Sequence, residues 1–235
     1  HTSWFQRSPL SRKHYRYLLP LMPSAIQRFN LESYDLVISS SHCVAKGVRV
    51  SKNARHVSYC HTPMRYLWDL QEEYFGSLGP AKRLLLNPLL NGLREWDVRT
   101  SKRVDHFVAN SRFVADRIRR VYGRESDVIH PPVDAAFFTP GAEKGDYYLM
   151  VSALVPYKKV ELAVEAFRNV SRPLLIVGSG PMEKELRKSA PPNVRFLGWQ
   201  GMEDLRAHYR KCRALLFPQK EDFGIVPLEA PACGR

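Results

Sequence analysis

Asp146-Tyr147-Tyr148-Leu149-Met150-Val151 opens the stretch that decides the fold. Tyr147 to Val151 is a short apolar run and reads as a buried strand. From Lys158 to Val170 the spacing changes to that of a helix, with Val160, Ala163, Val164 and Phe167 on one face. Pro173 to Val177 is a second strand, stopped by Gly178-Ser179-Gly180-Pro181; Pro181 suits the first turn of a following helix. Val194 to Leu197 then reads as a strand, Glu203 to Cys212 as a helix and Ala214 to Phe217 as a fourth strand. Strands alternating with helices of this length imply right-handed crossovers and a parallel sheet.

Upstream, Asp35 to Ser39, His56 to Cys60, His106 to Ala109 and Asp127 to His130 read as strands. Met64 to Tyr74 and Ala81 to Arg103 read as helices, the second with a break expected near Pro88, and Ser111 is placed to cap a helix through Tyr122. Residues 131–145 hold Pro and Gly with little periodicity, so the boundary is expected there, giving domains 1–140 and 141–235. The opening segment mixes Arg7, Arg12, Lys13, Arg16 and Arg28 with Trp4, Phe5, Tyr15, Tyr17 and Leu18. It reads as a solvated helix with its aromatics packed inward, or as a membrane-facing amphipathic segment; Pro9, Pro20 and Pro23 favour the first.

The charge is uneven. Of a net +13, residues 1–140 carry +9 and residues 141–235 carry +4. A basic surface favours polyanions, anionic lipid heads or phosphorylated substrates, without choosing among them. No apolar run is long enough for a transmembrane helix. Cys43, Cys60, Cys212 and Cys233 form no Cys-x-x-Cys pattern and read as reduced thiols of a cytosolic protein, not as a zinc site. No Asp-x-Asp, P-loop or dinucleotide fingerprint is present; Glu183 stands where that fingerprint needs its third Gly. No metal and no cofactor are expected. Opening on His1 and stopping at Cys233-Gly234-Arg235, the chain is expected to be a fragment of a longer one.

Glu221-Asp222-Phe223-Gly224-Ile225-Val226-Pro227-Leu228-Glu229 carries the chemical signal. It puts one carboxylate in a strand-to-helix loop and another inside the helix. Between them lie the backbone N–H groups of a helix start, which attract anions. A carboxylate beside an anion site suits a sugar nucleotide, with its hydroxyl pairs and its diphosphate.

Several further elements join it in order: Tyr34 to His42, then Tyr59-Cys60-His61-Thr62-Pro63-Met64-Arg65-Tyr66, then Asn110-Ser111. Pro131-Pro132-Val133-Asp134, Val155-Pro156-Tyr157-Lys158-Lys159 and Gly178 to Pro181 follow. Together they resemble the retaining glycosyltransferases of family 4, and within it the bacterial mannosyltransferase-like enzymes of surface-polysaccharide assembly. The resemblance implies an α/β fold of two Rossmann-like domains facing a cleft (GT-B), both incomplete here. The first would lie on the acceptor side and the second would bind the nucleotide sugar.

By that resemblance, Glu229 accepts hydrogen bonds from the ribose hydroxyls, and Glu221 lies near the transferred sugar. Lys158 neutralises the departing diphosphate with help from Lys159. Phe223, Gly224 and Ile225 supply backbone approach, and Gly178 either lines the donor site or only tightens a turn. Where many relatives carry an Arg, this chain has Ala153, which shifts phosphate binding onto the two lysines. His61 is expected to contact donor or acceptor. Arg65 and Asp69 either pair with each other or face the acceptor. The implied catalytic set is therefore Glu221, His61 and Lys158. The implied reaction is retaining, metal-independent hexosyl transfer from a nucleotide diphosphate sugar, with GDP-mannose as the candidate, to a glycan or lipid-linked acceptor. The setting would be the cytoplasm, with peripheral attachment to the inner face of the plasma membrane. Two other classes compete: a non-catalytic nucleotide-sugar or glycan binding subunit of the same fold, and a nucleic-acid binder. The latter is suggested by charge alone and has no motif behind it.

Overall fold

The apolar alternation of the second half builds the expected parallel sheet. In the computed structural model, which describes residues 3, 15–76 and 78–235 (backbone alone for residues 15–17), the chain falls into two compact units. The second contains β5 (Tyr148–Val151), β6 (Leu174–Val177), β7 (Val194–Gly198) and β8 (Ala214–Leu215), ordered β7-β6-β5-β8 with every pair parallel. Alternate strand residues point to opposite faces. Met150, Leu174, Ile176 and Val194 pack on one face with Val160, Val164 and Leu186. Leu149 and Val177 pack on the other with Tyr209, Ala230 and Cys233.

The first unit holds β1 (Leu36–Ser41), β2 (Arg55–Cys60), β3 (His106–Ala109) and β4 (Asp127–Val128), parallel and in chain order. Its helices are α1 (Met22–Ile26), α2 (Arg65–Trp68), α3 (Gln71–Phe75), α4 (Pro80–Ser101) and α5 (Arg112–Tyr122). Those of the second unit are α6 (Val160–Ala166), α7 (Glu183–Ser189), α8 (Met202–Lys211) and α9 (Val226–Ala232). The expected cap is present: the Ser111 hydroxyl accepts from the Val114 N–H at 3.1 Å, and Gly123 closes α5 at φ 63°.

Several boundaries differ from the sequence reading, four of them for a physical reason the structure shows. The units divide between His130 and Pro131, ahead of the expected 140/141, because Val133, Phe137 and Phe138 belong to the second core. The stretch Met64 to Tyr74 is two short helices, interrupted at Asp69, whose carboxylate is drawn to α5. The expected break in α4 at Pro88 does not occur. Pro88 lies on the outward side, so the backbone hydrogen bond it cannot donate is missing away from the core. Finally, α6 starts at Val160 and not at Lys158, because Lys159 adopts the left-handed conformation (φ 54°) after a 3-10 turn at Pro156–Lys158. Trp4, Phe5, Arg7, Arg12 and Lys13, and the side chains of Tyr15, Arg16 and Tyr17, lie outside the described residues. Among the described residues, no helix is long and apolar enough to cross a membrane.

Candidate functional site

In the second unit, successive crossovers run from β5 to β6 to β7, and the chain then returns to place β8 on the other side of β5. The loops leaving β5 and β8 therefore part at the point where strand order reverses, the place where open α/β sheets bind ligands. Lys158 comes from the first loop and Glu221 from the second, and they form an ion pair. Their side chains are only 17% and 13% exposed, so this contact is largely withdrawn from water. The Lys158 ammonium also sits 5.4 Å from the Tyr157 ring centroid. Lys159 and Ala153, from the same loop, are exposed.

Gly178 has φ +130°, and a Cβ there would lie 2.0 Å from the Ser152 carbonyl oxygen. Gly180 is equally constrained by the Leu154 carbonyl, at 2.3 Å. The two loops are joined by Ser152 N–H to Val177 O and Leu154 N–H to Ser179 O, both 3.0 Å. Backbone of the β5 loop thus fills the space left by Gly178, which accounts for this glycine as a tight turn.

The Glu221–Glu229 element spans the β8–α9 loop and the first turns of α9. Gly224 is at φ +79° with the Phe217 ring 3.0 Å from where its Cβ would be. Ile225 and Leu228 are exposed. Glu229 is inside α9 as expected but buried, and its Oε2 accepts a hydrogen bond from the Tyr209 hydroxyl at 2.7 Å. Burial and this carboxylate push the Tyr209 hydroxyl far above its ordinary pKa, so it stays a donor. Two partners escaped the sequence reading. One is Tyr209 itself, which that reading does not single out. The other is Gln219, buried in the β8–α9 loop with no hydrogen-bond partner for Oε1 among the described residues.

In the first unit, His61 follows β2, and its Nε2 shares a hydrogen bond with Ser40 Oγ at 2.8 Å. Its ring meets Tyr59 edge-on at 5.2 Å. The Asp69 carboxylate is held by Arg117 Nε (2.7 Å) and by Arg120, both on α5. Arg117 also donates to Thr62 Oγ1 at 2.5 Å. One buried guanidinium therefore ties the residue after His61 to the end of α2, while Arg65 opens that helix. Arg117 carries no motif and is not among the residues the sequence singles out.

A family model described as Glycosyltransferase Family 4 matches residues 4–137, more than half of the sequence. The chain belongs to glycosyltransferase family 4. A model described as Glycosyl transferases group 1 matches residues 134–235 of this family 4 chain. It is 34% identical to O-antigen chain mannosyltransferase C of Escherichia coli over 97 residues, 38% of this chain and 26% of that protein. It is 28% identical to the O-antigen chain mannosyltransferase RfbU of Salmonella typhimurium over 143 residues, 56% of this chain and 40% of that one. The structure of Anabaena Alr3699/HepE in complex with UDP-glucose matches with TM-score 0.62 at 16% identity, covering 97% of this chain and 64% of that one. At that identity the match speaks to fold: two parallel-sheet α/β domains of the GT-B type. The family 4 chain spans about a quarter to two fifths of the length of the curated relatives it matches.

Proposed function

We propose that the whole protein is a retaining, metal-independent hexosyltransferase that uses a nucleotide diphosphate sugar, with GDP-mannose as the candidate donor. Its acceptor would be a glycan or a lipid-linked glycan of surface-polysaccharide synthesis, and its place the cytoplasmic face of the membrane. The observation that carries this reading is the Lys158–Glu221 pair at the strand-order reversal of the second sheet.

A half-buried ammonium held in place by a carboxylate needs no reorganisation when negative charge grows on a leaving diphosphate. Exposed Lys159 adds a second cation where Ala153 gives none. Glu221 orients Lys158 and turns its other oxygen to sugar hydroxyls, and His61, held by Ser40 Oγ, is the first unit's candidate contact for donor or acceptor. Glu229, with Oε2 bound by Tyr209, offers Oε1 to the ribose diol. Phe223, Gly224 and Ile225 bring backbone to the donor, and Gln219 Oε1 is a further acceptor for a donor hydroxyl. Arg65 and the Asp69–Arg117 pair shape the acceptor side.

The test uses the full-length protein, calorimetry with GDP- and UDP-sugars, and turnover in the presence of a chelator. Lys158→Ala should lower turnover roughly 100- to 1,000-fold, the usual effect of removing one transition-state charge partner, while donor affinity changes only a few-fold. Equal turnover in variant and parent removes Lys158 from the mechanism. Tight donor binding with no turnover in the parent would favour the non-catalytic subunit. Steep salt-dependent binding to oligonucleotides with no donor binding would favour the nucleic-acid binder.

A further inference from the structure

Glu229 is a carboxylate in an apolar setting. It is 8% exposed in α9, and the next residue, Ala230, packs with Leu149, Val177 and Cys233 against the second sheet. A buried carboxylate is costly unless hydrogen bonds hold it. Here the donor comes from another helix. The Tyr209 hydroxyl, on α8, donates to Glu229 Oε2 at 2.7 Å, and among the described residues it is the only side chain that bonds this carboxylate.

The donor is itself held from several sides. Tyr209 is fully buried. Its ring meets Phe138 edge-on at 5.8 Å, and Phe138 meets Phe137 in the same way at 5.1 Å. Arg206 lies over the Phe137 ring at 4.3 Å and donates to the Phe137 carbonyl at 3.2 Å. The Cys212 thiol donates to the Tyr209 carbonyl at 3.3 Å. Burial and the carboxylate keep the hydroxyl protonated, so it remains a donor. A core aromatic needs no hydroxyl, and phenylalanine would fill the same space; what the hydroxyl adds is the bond to Oε2. With Oε2 engaged, Oε1 is the oxygen left for a ligand, and its two lone pairs match the two O–H groups of a cis diol.

We infer that Tyr209 is a positioning residue: it does not touch the donor, but it fixes Glu229 so that Oε1 reads both hydroxyls of a ribose, and the site thereby rejects deoxyribonucleotides. The inference rests on the reading of Glu229 as the ribose acceptor made above, and adds to it the residue that makes the reading selective.

Calorimetry on the full-length protein tests it, with GDP and 2′-deoxy-GDP, and UDP and 2′-deoxy-UDP, as probes. The parent should bind the ribonucleotide of at least one pair about 10- to 100-fold tighter than its deoxy form, the usual range for one hydrogen bond to a charged group. Tyr209→Phe should bring that ratio down to a few-fold, by weakening the ribonucleotide and leaving the deoxy form nearly unchanged. Glu229→Gln should lose the ratio as well, and Y209F/E229Q should match E229Q, because Tyr209 acts only through the carboxylate. Equal losses for both forms in Tyr209→Phe would make Tyr209 a structural residue and overturn the inference while the donor reading stands. So would a parent ratio that survives Tyr209→Phe, or a parent that binds both forms equally. If Tyr209→Phe does not fold, the comparison of Y209F/E229Q with E229Q decides: equal ratios support the inference, and unequal ratios or an unfolded double variant overturn it. A parent that binds neither pair removes the donor reading itself, and the inference falls with it.

Discussion

The two sheets share parallel wiring and differ in what lies against them. The second is covered on both faces by apolar side chains, with the Lys158–Glu221 pair in the loops after β5 and β8 and further ion pairs such as Arg172–Asp146 and Lys211–Glu143 at the surface. The first buries Ser39, Ser41, His56 and Ser58 on its covered face and leaves Leu36 and Ile38, on the opposite face of β1, 54% and 67% exposed. Its helices are tied by charges inside the fold: Lys46 to Asp97 at 2.5 Å, and Asp69 to Arg117 and Arg120. One unit is thus organised by apolar packing and close backbone approach, while the other adds buried polar and charged contacts to its own apolar clusters. The first kind tolerates changes of pH and of surface charge. The second depends on every partner being present and in the right protonation state.

The sharpest way to break that contrast is at Asp97. Its Oδ1 meets Lys46, and its Oδ2 accepts from Trp68 Nε1 at 2.9 Å and from the Tyr122 hydroxyl at 3.0 Å. Lys46 is 1% exposed and lies over the Trp96 and Tyr122 rings. Asp97→Asn keeps the shape and strands a buried cation, which typically costs about 3–5 kcal/mol. Urea unfolding should show the first unit's transition, followed by Trp68 and Trp96, moving to lower denaturant while the second unit's stays in place. Adding Lys46→Met to Asp97→Asn should restore part of the loss. A shift below about 1 kcal/mol, the size of an exposed pair, would mean the network does not hold this unit.

These networks are also what sequence reasoning could not see. The alternation from Asp146 onward, the Ser111 cap and the place of Glu229 in a helix are all local patterns, and the structure has them. Lys46 and Arg117 are buried against Asp97 and Thr62, far along the chain, and Gln219 is buried as well; nothing in their sequence neighbours announces it. Lys158 and Glu221 were each singled out, but their pairing comes from the strand order β7-β6-β5-β8, which local spacing does not encode. Lys159 shows the same limit at the backbone: a positive φ at a lysine leaves no mark in the sequence, so the expected helix began too early. Phe137 and Phe138 sit among prolines and look like linker, yet Phe138 is 3% exposed in the second core.

A smaller effect tests the second unit by its glycines. Gly178→Ala combines a disfavoured φ of +130° with a Cβ 2.0 Å from the Ser152 carbonyl oxygen, and should cost about 2–3 kcal/mol. Gly198→Ala has φ +72° but open space around the new Cβ, and should cost about 1 kcal/mol. Both are read as shifts of the second unit's unfolding transition. Equal costs would show that the clasp between the β5 and β6 loops yields without strain, and that apolar packing alone organises this unit.

The smallest effect concerns acid. His56 is fully buried in the first sheet, its Nε2 sharing a hydrogen bond with Ser39 Oγ at 2.9 Å. Burial lowers its pKa below the ordinary 6.5, and the Arg103 backbone and the charge of Asp105 oppose this only in part. Below pH 6.5 the unfolded chain therefore takes up a proton that the folded chain refuses. Stability from this site is full above the unfolded pKa and falls as pH drops, by at most about 1.4 kcal/mol per pH unit for one proton. His56→Gln keeps a polar partner for Ser39 and cannot titrate. Between pH 6.5 and pH 5, before carboxylates dominate, the gap in unfolding free energy between parent and His56→Gln should change in the variant's favour. The second unit's transition should be the same in both proteins, although burial also lowers the pKa of its own His208. A gap that stays constant with pH would mean His56 takes up its proton inside the fold, and the polar face of the first sheet would then carry a charge in acid.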